Sequence, residues 1–272
     1  MIQCSKCGKY PLQYKMAGEK YYCHFPGDSP PFSCMPKKEK EKGEEMNIVQ
    51  PYARMIENIN FLDGVILLFQ HDSGIKLLKL CEWAGRVSHR SEDKITEDSY
   101  DKFIRSIVLQ HGDFSIIEHA SVTVEAVVDR GITHEWVRHR LGAYTQESTR
   151  FVNYTKNLKC VFIKPELAGD SLELWADTIA KCEQSYKILV SRGVSPQIAR
   201  SVLPNALASK LIVTYNLRMW RHFFLMRTSK ETHPQMRQVT IPLLKEFQEK
   251  IPILYEDIIP EERQAENLRK MR

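Results

Sequence analysis

The sequence predicts a mixed fold of interleaved helices and strands, α/β or α+β, behind a small cysteine-rich segment. Three observations carry this. From about residue 47 onward, apolar residues switch between the 3.6-residue period of helices and the two-residue period of strands. The 272 residues are 43% hydrophobic and 27% charged, a composition that can fold around a core. Cys4, Cys7, Cys23 and Cys34 crowd the first 34 residues, where Pro26, Pro30, Pro31 and Pro36 exclude long helices.

Residues 1–36 are therefore read as a cysteine-rich N-terminal segment. The four cysteines are spaced C-x2-C-x15-C-x10-C, and the first pair resembles a zinc knuckle. The second pair is wider than in a zinc ribbon, and His24 offers a competing ligand, so structural zinc and plain surface thiols both stand as readings. Residues 37–46 read as a charged linker, with four Lys balancing four Glu between positions 37 and 45. The main domain spans 47–272.

Within that domain residues 77–84 have helical spacing. Thr96 is placed to cap a helix with Phe103, Ile104, Ile107 and Val108 on one face, ending near Gly112. Residues 121–128 alternate, with Val122, Val124, Ala126 and Val128 on one side, and predict a strand. Thr133 is expected to cap a short helix carrying Glu135, Arg138 and His139 on one face, followed by a loop containing Gly142. Residues 175–190 predict a helix, and Ser195-Pro196 starts another that Pro204 ends. Residues 210–218 alternate strictly, which places Asn216 and Arg218 on one strand face with Thr214. Helical spacing resumes through His222 and Arg227. Pro234 opens the last long helix and Pro252 ends it.

The longest apolar run, residues 65–69, is far below the roughly 20 residues that cross a bilayer, and no signal peptide is visible. With an odd cysteine count this leads us to expect reduced thiols and a cytoplasmic protein without membrane contact. The net charge of +5 suits an anionic small molecule, and the neutral linker speaks against a nucleic-acid partner. The basic residues cluster. From 218 to 237 four Arg and one Lys face a single Glu, and from 130 to 150 four Arg face two Glu. Arginine presents the planar fork that grips carboxylates and phosphates.

Arg138, His139 and Arg140 are followed, after seven intervening residues, by Ser148 and then Arg150. This R-H-R-x7-S pattern arises by chance in roughly one chain in a thousand of this length. Chemically it is an anion site: two arginines, then a loop offering backbone N–H groups, a hydroxyl and a third arginine. The pattern resembles the signature of the flavin-dependent thymidylate synthases. Ser115-x-x-Glu118-His119 is similar to that family's flavin segment. Residues 199–205 and 216–223, with Met226-Arg227, are similar to two further blocks, and Gly85-Arg86-Val87-Ser88 to a weaker one. The similarity covers roughly residues 60–250.

The resemblance implies an α+β fold with a mixed β-sheet and long helices. It implies methylation of dUMP to dTMP with FAD as cofactor and methylenetetrahydrofolate and NADPH as co-substrates, in a homotetramer whose sites draw on several subunits. Carried over by position, Glu135, Arg138, Gln146, Glu147, Ser148, Thr149, Arg150, Arg200 and Arg227 would surround dUMP, with Arg227 catalytic through its effect on the uracil. Ser115, Glu118, Arg138, His139, Arg140, Asn216, Arg218 and His222 would hold FAD. The chain departs from the longer pattern at Ala143, Thr145, Glu147 and Phe151, all in the nucleotide loop, which leaves another pyrimidine nucleotide open as substrate. A non-catalytic nucleotide-binding protein of the same fold is the other alternative. Ser148 has no general base nearby in sequence, so it is read as a phosphate ligand and not as a nucleophile.

If Cys4, Cys7, Cys23 and Cys34 bind zinc, about one equivalent copurifies and is lost when Cys4 and Cys7 become Ser. Metal-free protein with four reactive thiols in this segment would leave only the thiol reading.

Overall fold

The computed structural model describes residues 13–14, 21–22, 47–55, 74–155 and 159–260; the four N-terminal cysteines and the charged linker lie outside them. In chain order the elements are β1 (Gln13–Tyr14), β2 (Tyr21–Tyr22), β3 (Asn47–Val49), β4 (Tyr52–Met55), α1 (Gly74–Val87) and α2 (Ser99–Ile104), which opens into a wide π-helical turn (Arg105–Gln110). A 3-10 turn (Phe114–Glu118), β5 (Ser121–Asp129), α3 (Arg130–Trp136), β6 (Ala143–Gln146) and β7 (Val161–Ile163) follow. Then come α4 (Gly169–Ser191), α5 (Pro196–Ala199), β8 (Ala208–Asn216), α6 (Leu217–Arg227), α7 (Pro234–Lys250) and α8 (Pro252–Tyr255). The strands form two four-stranded sheets, ordered β2-β1-β3-β7 and β4-β5-β8-β6. The first is mixed, because β1 runs antiparallel to β2 and β3 while β3 runs parallel to β7. This is the expected α+β class.

The chain divides into two compact units. One comprises residues 1–52, 127–136 and 146–211; the other comprises 53–126, 137–145 and 212–272. In the first unit α4 buries Ala176, Ile179, Glu183 and Tyr186, spaced three, four and three apart, so they form one stripe. Ile179 and Tyr186 pack with Tyr154, Cys160, Phe162, Ala199 and Leu207. Burial of such side chains stabilises by about 1.5–3 kcal/mol each.

In the second unit the core is aromatic. Trp220, Phe223, Phe224, Phe247, Tyr215 and Tyr255 are fully buried, with neighbouring rings such as Phe224 and Phe247 4.9 Å apart. Their polar ends are satisfied: Trp220 Nε1 donates to the Val122 carbonyl at 2.9 Å and the Tyr255 hydroxyl to the Leu217 carbonyl at 3.0 Å. The Trp220 bond and that from Leu217 N–H to Ala120 O fix the start of α6 against β5 and the residue before it, and the Tyr255 bond ties α8 to the same helix start. Gly112, at φ +77, ends the π-helical turn in the left-handed region, as its position in the sequence predicts.

Several boundaries differ from expectation. The helix expected from Thr133 begins at Arg130, because the Asp129 carboxylate accepts from Ile132 N–H at 2.7 Å and acts as the cap. Thr133 is internal and donates to the Arg130 carbonyl. The helix stops at Trp136, so Arg138 and His139 do not share a helical face with Glu135. The strand expected to reach Arg218 ends at Asn216, whose side chain accepts from Met219 N–H at 2.8 Å and caps α6. Arg218 therefore belongs to the helix, and the shared strand face with Asn216 does not exist. Thr96 is not a cap: α2 starts at Ser99, whose hydroxyl takes the Thr96 N–H. Helix α4 begins at Gly169, six residues before the expected start, and α7 carries Pro242 inside it.

Glu82 of α1 is fully buried and accepts from Arg86 at 2.7 Å and from the Ser99 hydroxyl at 2.9 Å, while Arg86 lies 4.8 Å over the Phe103 ring. Removing one partner of a buried pair strands the other charge. Glu82→Ala should destabilise by about 3–5 kcal/mol, read as a lowered urea midpoint with unchanged m-value. A loss below about 1 kcal/mol, the size of a surface pair, would contradict this.

Candidate active site

Strand β6 leads into the loop that follows Gln146, in the first unit. The Gln146 amide donates to Thr133 Oγ1 at 3.0 Å and Ser209 Oγ at 3.1 Å, which fixes the loop's entry. Glu147 donates its N–H to the Lys210 carbonyl at 2.8 Å and accepts from the Tyr154 hydroxyl at 2.9 Å. Burial, then that carboxylate, push the Tyr154 phenol far above its ordinary range. The chain then turns: the Ser148 carbonyl accepts from Phe151 and Val152, and Ser148 Oγ accepts from Arg150 N–H at 3.3 Å. Arg150 donates to Gln197 at 3.1 Å and lies 5.2 Å over the Phe151 ring. Arg200 donates to the Thr149 hydroxyl at 2.9 Å. Thr149 and Arg200 line a cavity of about 220 Å³ together with Arg130, Ser201, Leu203, Asn205 and Leu207. Two guanidinium groups and two hydroxyls around one small cavity suit an anionic group.

The second unit holds another cluster, organised around His139. Arg227, at the end of α6, donates from Nε to His139 Nε2 at 2.8 Å, and Thr240 fixes the Arg227 carbonyl at 2.8 Å. Only an unprotonated ring nitrogen can accept that bond. His139 is 6% exposed, packed on Phe223 at 5.0 Å and edge-on to His222 at 6.0 Å. Burial first, then the Arg227 charge, then His222, lower its pKa from 6.5 to about 3. His222 is lowered by burial and then by Arg218 and Arg227. The His139 carbonyl accepts from the Tyr144 hydroxyl, which lies 2.5 Å from the Tyr215 hydroxyl. Gly142 admits this approach, since a Cβ there would sit 2.2 Å from the Tyr215 ring. Arg218 pairs with Glu118 at 2.5 Å and lies 6.0 Å over the Phe114 ring. Ser115 donates its hydroxyl to Asp113 at 2.6 Å.

The residues expected around dUMP divide accordingly. Glu135, Gln146, Glu147, Ser148, Thr149, Arg150 and Arg200 belong to the first unit; Arg138 and Arg227 belong to the second. All the residues expected around FAD belong to the second unit, where Arg218 and Glu118, and His139, His222 and Arg227, make direct contact or close approach. Arg138 and Arg140 are exposed around the buried His139. Sequence reasoning missed Arg130, which lines the cavity from outside every motif block. It also missed the Tyr144–Tyr215 pair, for which the sequence carries no signal. Burial pushes the Cys81 and Cys160 thiols up to about 12, so they stay protonated and unreactive. Among the described residues no helix is long and apolar enough to cross a membrane, and no cluster of His, Cys, Asp and Glu suits a metal ion.

Comparison with known proteins gives this geometry a family. The family model described as thymidylate synthase complementing protein matches residues 73–253. A protein of Pyrococcus furiosus named flavin-dependent thymidylate synthase is 34% identical over 181 residues, covering 62% of this chain and 74% of the relative. One of the same name from Mycobacterium sp. (strain JLS) is 33% identical over 205 residues, covering 65% and 78%. Among solved structures, the UMP/dUMP methylase PolB from Streptomyces cacaoi, bound with 5-Br dUMP, superposes with a TM-score of 0.60. It covers 78% of this chain and 96% of its own at 20% identity, a likeness of fold. The chain is an enzyme of the flavin-dependent thymidylate synthase family.

His139 should leave its mark on stability. Its folded pKa of about 3 lies below the unfolded value of 6.5, so the unfolded chain binds the extra proton between them. The contribution of the neutral ring is present above pH 6.5 and is lost progressively as pH falls toward 3. Melting temperature should therefore drop on acidification from pH 7.5 to 4.5, and drop less in His139→Gln. His222 leaves a residual slope. Identical slopes in the two proteins would refute the assignment.

Proposed function

We propose that this enzyme methylates dUMP to dTMP, with methylenetetrahydrofolate as carbon donor and NADPH as reductant. The observation that carries the reading is the Arg227–His139 hydrogen bond, formed among residues that match the family's motifs. The neutral ring of His139 orients the guanidinium through Nε. Arg227 can then polarise a uracil carbonyl and stabilise negative charge that develops on the ring. Thr149 and Arg200 supply donors for the nucleotide's phosphate, with Ser148 and Arg150 on the adjoining turn. Gln146, held by Thr133 and Ser209, keeps its carbonyl oxygen for the base or sugar. Glu135 and Arg138 complete the proposed dUMP set, and Glu147 serves it by fixing Tyr154.

Family membership implies FAD, and the residues present fit it. Arg218 offers a cation steadied by Glu118, suited to a phosphate, and Ser115, Asn216, Arg138 and Arg140 offer further polar contacts. His139 and His222 are kept neutral, so they border the flavin without repelling the nearby arginines. When bound, the flavin supplies two-electron redox chemistry. The protein's residues position the reactants and exclude water. Family membership implies a homotetramer, and Leu141 in the second unit and Phe151 in the first, each 77% exposed, are apolar side chains that further copies would cover.

The test compares two variants by tritium release from dUMP labelled at C5, together with flavin content. Arg227→Ala should lower turnover by on the order of 10²–10³ and keep its flavin. Ser148→Ala should raise the dUMP requirement and retain measurable turnover at saturation. Arg227→Lys should rescue incompletely, since an ammonium lacks the planar fork. Abolished turnover in Ser148→Ala beside near-normal turnover in Arg227→Ala would restore a serine nucleophile.

A further inference from the structure

His139 lies in the segment 137–142, which is neither helix nor strand, yet its ring must face Arg227 to accept the 2.8 Å bond from Nε. Two contacts hold it there. The Phe223 ring packs on the imidazole at 5.0 Å, and the backbone carbonyl accepts from the Tyr144 hydroxyl. A phenol carries one hydrogen. Tyr144 spends its hydrogen on His139, so Tyr215 is the donor in the 2.5 Å contact between the two hydroxyls. The bonds therefore run one way, from Tyr215 through Tyr144 to His139. Tyr215 is the anchor. It is 1% exposed on β8, with its ring 4.6 Å from that of Trp220, whose Nε1 is tied to the Val122 carbonyl. Burial raises the Tyr144 phenol above its ordinary pKa, so it remains a donor at neutral pH. Neither tyrosine is among the residues that the family resemblance assigns to dUMP or FAD.

We propose that Tyr144 and Tyr215 are positioning residues for the methylation reaction, which act through His139 to hold the Arg227 guanidinium in place for the nucleotide. This rests on the reading of Arg227 above. A phenylalanine would fill the same space as either ring, so the hydroxyls contribute through their bonds and not through packing. Donation from Tyr215 polarises the Tyr144 hydroxyl and strengthens its bond to the His139 carbonyl. With carbonyl and ring both held, the imidazole is kept from swinging away from Arg227. Arg227 is fixed at a second point, where its own carbonyl accepts from Thr240 Oγ1 at 2.8 Å. The hydroxyl chain also constrains the loop: Gly142 passes so close that a Cβ there would lie 2.2 Å from the Tyr215 ring. Such holding matters because a small misplacement of a reacting or polarising group lowers the rate steeply.

The test uses the full chain with Tyr144→Phe and Tyr215→Phe, each alone, together, and combined with Arg227→Ala, read by tritium release from dUMP labelled at C5. Tyr144→Phe should lower kcat by about 3- to 10-fold, the size of one neutral hydrogen bond. KM for dUMP and flavin content should stay as in the parent. Tyr215→Phe keeps the bond to His139 and should lower kcat less, and the two changes together should cost no more than Tyr144→Phe alone. Arg227→Ala lacks the group being positioned, so adding Tyr144→Phe to it should change kcat no further. A tyrosine that serves only the fold lowers turnover by the same factor in both backgrounds, and that result would overturn the proposal. So would parental kcat in Tyr144→Phe. If Tyr144→Phe does not fold, Tyr215→Phe carries the same comparison in the two backgrounds, with the same outcome required. A parent that releases no tritium overturns the proposed function and this inference with it. An active parent in which the tyrosines and Arg227 act independently overturns this inference alone.

Discussion

A hydrogen bond from a charged arginine to a neutral histidine organises the cluster of motif residues in the second unit. His139 Nε2 can accept from Arg227 Nε only while it carries no proton, and burial together with the arginine's own charge keeps it so. The two effects reinforce each other. A protonated His139 would lose the bond, repel Arg227 and be poorly solvated among Phe223, His222 and the Tyr144–Tyr215 pair. The aromatic core behind α6 is what makes the surroundings dry enough, and the Asn216 cap sets where that helix starts.

The arginines divide by what they face. Arg86, Arg218 and Arg221 have carboxylate partners, Glu82, Glu118 and Asp257, and serve to fix helices or orient a contact surface. Arg227 donates to a neutral histidine and Arg200 to a threonine hydroxyl. Arg130 lines the same cavity as Arg200, and among the described residues its buried Nη1 has no hydrogen-bond partner. Two guanidinium groups lining one small cavity suit an anionic group there.

Much of this was legible in the sequence because the motif residues are close together along the chain. The R-H-R-x7-S run, the strand of residues 121–128 and the stop at Gly112 required only local pattern and backbone rules. The misreadings are also local. Leu217-Arg218-Met219 continues the alternation of β8, so the pattern alone extends the strand, and only the Asn216 side chain bound to Met219 N–H shows that the helix has begun. Thr133 has the chemistry of a cap, yet it is Asp129, at the end of β5, whose carboxylate takes the Ile132 N–H. What stayed hidden is long-range: His139 and Arg227 meet across 88 positions, and Arg130 and Arg200 line one cavity from separate elements. No spacing rule reports such a meeting.

The central claim is that these residues hold a flavin and a pyrimidine nucleotide for methyl transfer. The most direct measurement is the absorbance spectrum of the purified protein, followed by incubation with dUMP, methylenetetrahydrofolate and NADPH and separation of the nucleotide products. The account predicts a yellow protein with near-stoichiometric flavin and dTMP formation that requires all three substrates. A colourless protein that binds dUMP but yields no dTMP, even after added FAD, would contradict it.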